Sequence, residues 1–195
     1  GHLYAWKQGA DDCPTMLWLR YLRNCTIMGP TLVDPPNHNM LLLGDSLYEE
    51  KASTLTHVKT FSWRVNSDGL HLWGHWSNVT DLFFRTQDDS LYIGDEASFT
   101  VFKRITLWND ANGVPFIHGY GSGGPTLVED SVVIYSRRGW PYWCGAMFDL
   151  RWWNRDPATQ PEARWPGPDR YQLIRNVRIT DPYPSCPLLD YQGSA

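Results

Sequence analysis

The residues of this sequence best suited to chemistry are aromatic rings that lie beside glycine, proline or histidine. One cluster spans residues 73–76 and a second spans residues 140–143, shortly after two arginines. Flat rings cover the C–H faces of sugars, while planar polar groups bind the hydroxyls. We therefore expect a carbohydrate-binding site, although any single tryptophan could instead pack in the interior. The candidate ligand-binding residues are Trp73, His75, Trp76, Tyr120, Arg137, Arg138, Trp140 and Tyr142.

A catalytic alternative is glycoside hydrolysis, which needs two carboxyl groups roughly 5 to 10 Å apart on either side of the scissile bond. The candidate for one member of such a pair is Asp110 or Asp156, acting with another acid. Asp110 lies in the sequence Asn-Asp-Ala-Asn-Gly, which is also typical of an ordinary turn between strands. The sequence therefore favours a binding protein over an enzyme and leaves the hydrolase open.

Metal binding is not indicated by the spacing of the six histidines. Only His71 and His75 would lie on one face of a strand, and no third ligand is evident beside them. We therefore expect no metal site and no cofactor.

Composition limits the class of partner. The net charge of -4 and the pI of about 5.8 provide no basic surface, so nucleic acid is not expected. The sequence has no apolar run long enough for a transmembrane helix and no signal-like leading segment, so membrane insertion is not expected either. A chain of 195 residues can form one well-buried domain. The expected partner is a glycan or a cell-surface glycoprotein, and oligomerisation is left open.

The cysteines and two glycosylation sequons favour an extracellular location. The four cysteines show no C-x-x-C spacing, which favours two disulfides over a metal site, with the pairing open. The sequons begin at Asn24 and Asn78. Together these features predict a secreted or surface protein. The cysteines are Cys13, Cys25, Cys144 and Cys186.

A repeat of about 44 residues organises the elements that would position these sites. Asp-Ser-Leu-Tyr occurs at residues 45–48 and again at 89–92, and the tyrosines at 4, 48, 92 and 135 are 44, 44 and 43 residues apart. A fixed period of this length is typical of repeat folds. The repeats predicted within one domain are 1–28, 29–68, 69–113 and 114–155.

Each repeat reads as a small set of strands separated by turns. Apolar and polar residues alternate along 55–63 and 99–107, as they do in half-buried strands. A proline-rich surface loop is predicted at 156–170, and a closing strand and tail at 171–195. This pattern predicts an all-β, four-bladed β-propeller-like fold that the C-terminal strand closes by completing the first unit. A β-trefoil is the alternative.

Local resemblances agree with this interpretation. Residues 76–84 with 90–92 carry a Trp, a Leu-Phe-Phe strand and a Leu-Tyr strand, and this segment resembles the blade of tachylectin-type sugar-binding propellers. Residues 134–140 with 180–184 resemble the attachment glycoproteins of paramyxoviruses, which are also propellers. In size and blade number the chain is similar to the four-bladed hemopexin-like domains. These resemblances imply a non-catalytic lectin-like or receptor-binding module, or a structural or attachment fragment of a larger viral glycoprotein.

Overall fold

The computed structural model describes residues 15–44, 53–64, 67–74, 76–93, 100–109, 117–119, 126–136, 147–149, 172–182 and 189–190. Every regular element in these segments is a β-strand, which confirms the all-β class. The strands are β1 (Leu17–Leu22), β2 (Thr26–Met28), β3 (Thr31–Val33), β4 (Met40–Gly44), β5 (Ser53–Thr56), β6 (Lys59–Phe61), β7 (Leu70–Trp73), β8 (Trp76–Thr86), β9 (Leu91–Ile93), β10 (Thr100–Asn109), β11 (Ile117–Gly119), β12 (Thr126–Ser136), β13 (Phe148–Asp149), β14 (Gln172–Ile179) and β15 (Leu189–Asp190).

The strands pair in parallel and form a β-solenoid, so the predictions of a propeller and of a trefoil are both wrong. A seven-stranded sheet has the order β1-β4-β7-β9-β11-β13-β15, and an eight-stranded sheet contains the path β14-β12-β10-β8-β5-β2. Neighbours along each sheet belong to successive coils of the chain. Blades and trefoil hairpins are antiparallel, whereas here a strand meets its partner only after the chain has completed a coil.

The core consists of columns of apolar side chains that stack from coil to coil. Leu55, Val79, Phe102 and Val128 occupy matching positions of β5, β8, β10 and β12, and all four are fully buried. A matching column in the seven-stranded sheet contains Met40, Leu70 and Leu91. Period-two alternation places one such residue inward at every second position of each strand, so every coil continues the same columns.

A bend recurs at the same place in successive coils of the eight-stranded sheet. The residues that follow the paired positions Met28, Thr56, Thr80, Lys103, Glu129 and Arg175 all have positive φ. Only the first of them is glycine, and the left-handed conformation costs about 1–2 kcal/mol for other residues. The bend therefore determines where the chain changes direction in each coil. Its residues are Gly29, His57, Asp81, Arg104, Asp130 and Asn176.

The 44-residue repeat does not correspond to the structural repeat. Tyr92 lies in β9 of the seven-stranded sheet, whereas Tyr135 lies in β12 of the eight-stranded sheet. The register advances by 30 residues from Met40 to Leu70 but by only 21 from Leu70 to Leu91. Coils of unequal length can share one register because the loops between the strands absorb the difference.

The C-terminal strand extends the solenoid and does not close a ring. β14 pairs with β12, with Thr126 opposite Gln172, at the end of the eight-stranded sheet opposite to β2. The predicted return of this strand to the first unit is therefore wrong.

The prediction that the four cysteines form two disulfides is wrong, because Cys25 is not paired. Cys25 is a free thiol, and its Sγ atom lies 3.2 Å from the Ser53 Oγ atom of the next coil. The other three cysteines, like the predicted loop at 156–170, lie outside the described residues. Among the segments described, no helix is long and apolar enough to cross a membrane.

Candidate functional site

Three polar side chains come together where strands of the seven-stranded sheet begin. His38 lies two residues before Met40, Asp68 two residues before Leu70, and Met40 pairs with Leu70 in adjacent coils. His71 lies one residue further along β7, opposite Leu41. Coil stacking thus brings together two histidines that are 33 residues apart in sequence.

The three side chains form a compact histidine–carboxylate cluster, which we define as His38, Asp68 and His71. Asp68 Oδ2 lies 2.7 Å from His71 Nε2, and Asp68 Oδ1 lies 3.1 Å from His38 Nδ1. Asp68 is buried and both imidazoles are half-buried. One potential ligand atom from each residue lies within 4.8 Å of the other two.

Aromatic packing holds the His71 ring in place. The ring stacks on Tyr92 of the next coil with centroids 4.5 Å apart and an interplanar angle of 11°. Its other neighbours are His38, at 4.3 Å between centroids, and Trp73, at 5.7 Å. Because these rings come from three successive coils, the orientation of the imidazole is determined by the register of the sheet.

The carboxyl groups near the cluster differ in charge. Burial by itself raises the pKa of Asp68, but hydrogen bonds from His38 and His71 outweigh it and hold that pKa well below its usual range. Burial and the nearby carboxylates of Asp68 and Asp89 raise the pKa of Asp88 to about 8. At neutral pH Asp68 is therefore ionised, while Asp88 is largely protonated.

The eight-stranded sheet carries a second feature, the aromatic platform, which we define as Trp63, Arg85, Trp108 and Tyr135. The Arg85 guanidinium carbon lies 4.9 Å from the Trp63 ring centroid and 5.6 Å from that of Trp108. The Trp108 and Tyr135 rings lie 5.2 Å apart at 40°. Register pairs Trp108 with both Arg85 and Tyr135, so the platform crosses successive coils on the outside of the sheet.

The platform is accessible to solvent. Trp63 is 52% exposed, while Arg85, Trp108 and Tyr135 are half-buried. Trp18 on β1 has the same exposed fraction and also packs under an arginine, since the Arg20 guanidinium carbon lies 4.1 Å from its ring centroid. Trp18 lies on the seven-stranded sheet, however. It therefore has the same exposure and the same arginine packing as Trp63 but is not part of the platform.

Two of the eight ligand-binding residues that the sequence predicted, Trp73 and Trp76, lie within the described segments. Trp73 is half-buried beside the histidine–carboxylate cluster. Trp76 is fully buried and donates its indole N–H to the Trp73 carbonyl oxygen at 2.9 Å, so its ring is inaccessible to a ligand. Asn24 and Asn78 are exposed, as glycosylation requires. Outside the described residues lie His75, Asp110, Tyr120, Arg137, Arg138, Trp140, Tyr142 and Asp156.

The histidine–carboxylate cluster was missed because His38 is distant in sequence from Asp68 and His71. The spacing of His71 and His75 drew attention, whereas the structure pairs His71 with Asp68 and His38. A signal does exist, because His38 and Asp68 each precede the first inward residue of a strand by two positions. That signal has meaning only when the two strands are known to be parallel neighbours.

Comparison with protein-family models, with curated proteins and with solved structures gives no significant match. The class of protein therefore follows from the fold and the side chains alone. The chain is a parallel β-solenoid that carries a histidine–carboxylate cluster at one sheet and an aromatic platform on the other.

Proposed function

We propose that the protein binds a carbohydrate chain on the aromatic platform, without catalysing a reaction, and that it acts outside the cell. The observation that carries this proposal is the continuous outer arrangement of Trp63, Arg85, Trp108 and Tyr135 over successive coils. Rings supply flat apolar surface to sugar C–H groups, and a guanidinium supplies planar donors to hydroxyl or carboxylate oxygens.

The geometry favours an extended ligand over a single sugar. Neighbouring coils lie about 4.8 Å apart, so the platform extends about 14 Å along the solenoid axis. A linear chain can contact rings at several coils at once, and repeat proteins generally use such elongated surfaces. The acidic net charge of -4 disfavours a nucleic acid, the other common ligand of stacked aromatic rings.

A glycan array followed by calorimetry with the best oligosaccharide tests this proposal. We expect Trp63→Ala and Trp108→Ala each to weaken binding about fivefold, since one stacked ring contributes roughly 1 kcal/mol. Trp18→Ala is the matched control, because Trp18 is equally exposed and also packs under an arginine but lies on the other sheet. Its affinity should equal that of the unmodified chain.

Four outcomes would contradict the proposal. Absence of any glycan ligand, or equal loss of affinity in the Trp18 and Trp63 variants, would remove the platform as the binding surface. Binding to a cell-surface glycoprotein that survives enzymatic removal of its glycans would favour a receptor-binding or viral attachment module. Release of new reducing ends from the bound oligosaccharide would favour the glycoside hydrolase.

A further inference from the structure

We propose that His38, Asp68 and His71 bind a divalent transition-metal ion, with zinc as the best-fitting ion. This site lies at the seven-stranded sheet, whereas the aromatic platform lies on the other, and the inference is independent of carbohydrate binding. Two imidazole nitrogens and one carboxylate oxygen are ligands that zinc accepts in proteins. Magnesium and calcium prefer oxygen ligands alone.

The distances fit a single ion between the three side chains. Zinc binds nitrogen and oxygen ligands at about 2.0–2.2 Å, which places the ligand atoms of a tetrahedral site about 3.3 Å from one another. The Asp68 oxygens lie 2.7 and 3.1 Å from the histidine nitrogens, and the three ligand atoms lie within 4.8 Å of one another. The ligand atoms thus lie within about 1.5 Å of the separations that a tetrahedral ion requires, and side-chain rotations can supply the difference.

The surroundings hold the ligands in place. The Asn39 backbone N–H and side-chain Nδ2 both donate to the Asp68 carbonyl oxygen at 2.9 Å, and Nδ2 also donates to Ser62 Oγ at 2.7 Å. Tyr92 stacks on His71 from the next coil. Ligands with such support lose little conformational entropy on binding.

The number of ligands indicates what kind of site this is. Structural zinc sites are closed by four protein ligands, whereas three protein ligands leave a position for water or for a ligand from solution. The described residues supply three. His38 and His71 belong to adjacent coils, so the ion would also link those coils and stabilise the fold against unfolding.

The test uses the untagged full chain, treated with EDTA, dialysed and titrated with zinc sulfate by calorimetry, with bound zinc counted after desalting. We expect one zinc ion per chain and a rise in Tm on zinc addition. His38→Ala and His71→Ala should each lower zinc affinity by at least about 100-fold, since mutation of a residue that only supports a metal ligand already lowers affinity 10- to 100-fold. The matched control is His57→Ala, which removes an exposed histidine at the bend and should leave zinc binding unchanged.

Two further variants protect the test against misfolding. His71→Gln and Asp68→Asn keep a hydrogen-bonding group of similar shape, and their circular dichroism should match that of the unmodified chain. Cobalt absorption bands seen with the unmodified chain should disappear in both variants. The proposal is overturned if the unmodified chain retains no zinc, or if the His38, Asp68 and His71 variants bind it as well as the His57 control does. In that case the cluster is a hydrogen-bonded structural triad only.

Discussion

The backbone of Gly69 lies directly against the backbone of Ser90 in the next coil. A Cβ atom added to Gly69 would overlap the Ser90 carbonyl oxygen and would lie 3.3 Å from Phe84 Cγ in the buried core. The same carbonyl accepts a hydrogen bond from the Leu70 N–H at 3.0 Å. Two coils therefore approach closely just after Asp68, at a residue without a side chain.

Gly69→Ala is therefore expected to lower the free energy of unfolding by about 1–3 kcal/mol, as other overpacked sites do. Urea denaturation measures the change. Gly29 is the useful contrast, because it has positive φ and no atom lies within 4 Å of an added Cβ. Asparagine tolerates positive φ, so Gly29→Asn should lower the free energy of unfolding only slightly. Gly69→Asn should lower it at least as much as Gly69→Ala does. Equal effects of asparagine at the two positions would show that the coils do not meet at Gly69.

Asp88→Asn is expected to stabilise the protein at alkaline pH. Because the pKa of Asp88 is raised to about 8 by burial and by Asp68 and Asp89, the native state binds this proton more tightly than the unfolded chain does. The stabilisation is complete below the ordinary pKa of about 4 and is lost as the pH rises through about 8. The variant should be as stable as the unmodified chain at pH 4 and more stable than it at pH 9. Each unit of pKa shift corresponds to about 1.4 kcal/mol in the free energy of unfolding.

The control for this pH profile is Asp81→Asn, whose effect on stability should have the opposite sign. The Arg104 guanidinium donates to both Asp81 carboxylate oxygens, at 2.6 and 2.7 Å, and lowers the pKa of Asp81. That variant should be less stable at neutral pH and should approach the unmodified chain only in acid. Urea midpoints measured from pH 4 to 9 for both variants test the pair, and parallel profiles would contradict the assignment for Asp88.

Glu129→Gln is expected to destabilise the end of the solenoid in a salt-dependent way. Glu129 accepts hydrogen bonds from Lys103 at 2.9 Å and from Arg175 Nε at 2.7 Å, and these cations lower its pKa. The contribution is present above the ordinary pKa of about 4.3 and is lost as the pH falls through the lowered value. The difference from the unmodified chain should shrink in 1 M NaCl and at pH 3.

Asp34→Asn provides the comparison for Glu129. Asp34 forms a single ion pair with Arg64 at 3.4 Å, and both side chains are exposed by about two fifths. Isolated pairs of this kind contribute little. Urea denaturation at low and high salt should therefore show a smaller loss for Asp34→Asn than for Glu129→Gln, and the reverse order would refute the Glu129 network.

Expression through a eukaryotic secretory pathway should produce glycosylated protein. Asn24 and Asn78 are both exposed, but Asn24 lies between strands with positive φ, whereas Asn78 lies within the paired strand β8. We expect fuller occupancy at Asn24, since acceptor sites are typical of surface loops. Intact mass before and after endoglycosidase treatment, with Asn24→Gln and Asn78→Gln as references, measures this. A mass that endoglycosidase does not change would contradict both sequons.

The sequence by itself determined the all-β class and many of the strands. Alternation of apolar and polar residues in 99–107 predicted a strand that the structure contains as Thr100–Asn109, and the strand predicted within 171–195 is present as Gln172–Ile179. Alternation follows from the geometry of one strand with one buried face, so it is visible in any local window.

Only the tertiary structure decided which strands pair and which side chains meet. A strand buried on one face has the same pattern whether its neighbour is antiparallel in a blade or parallel in the next coil, and therefore the tyrosine spacing favoured the wrong architecture. His38 meets Asp68, and Trp108 meets Tyr135, because strands β4 and β7, and β10 and β12, are parallel neighbours. Pairing depends on loop closure and on the fit of whole core columns, which are properties of the assembled coils and of no single segment.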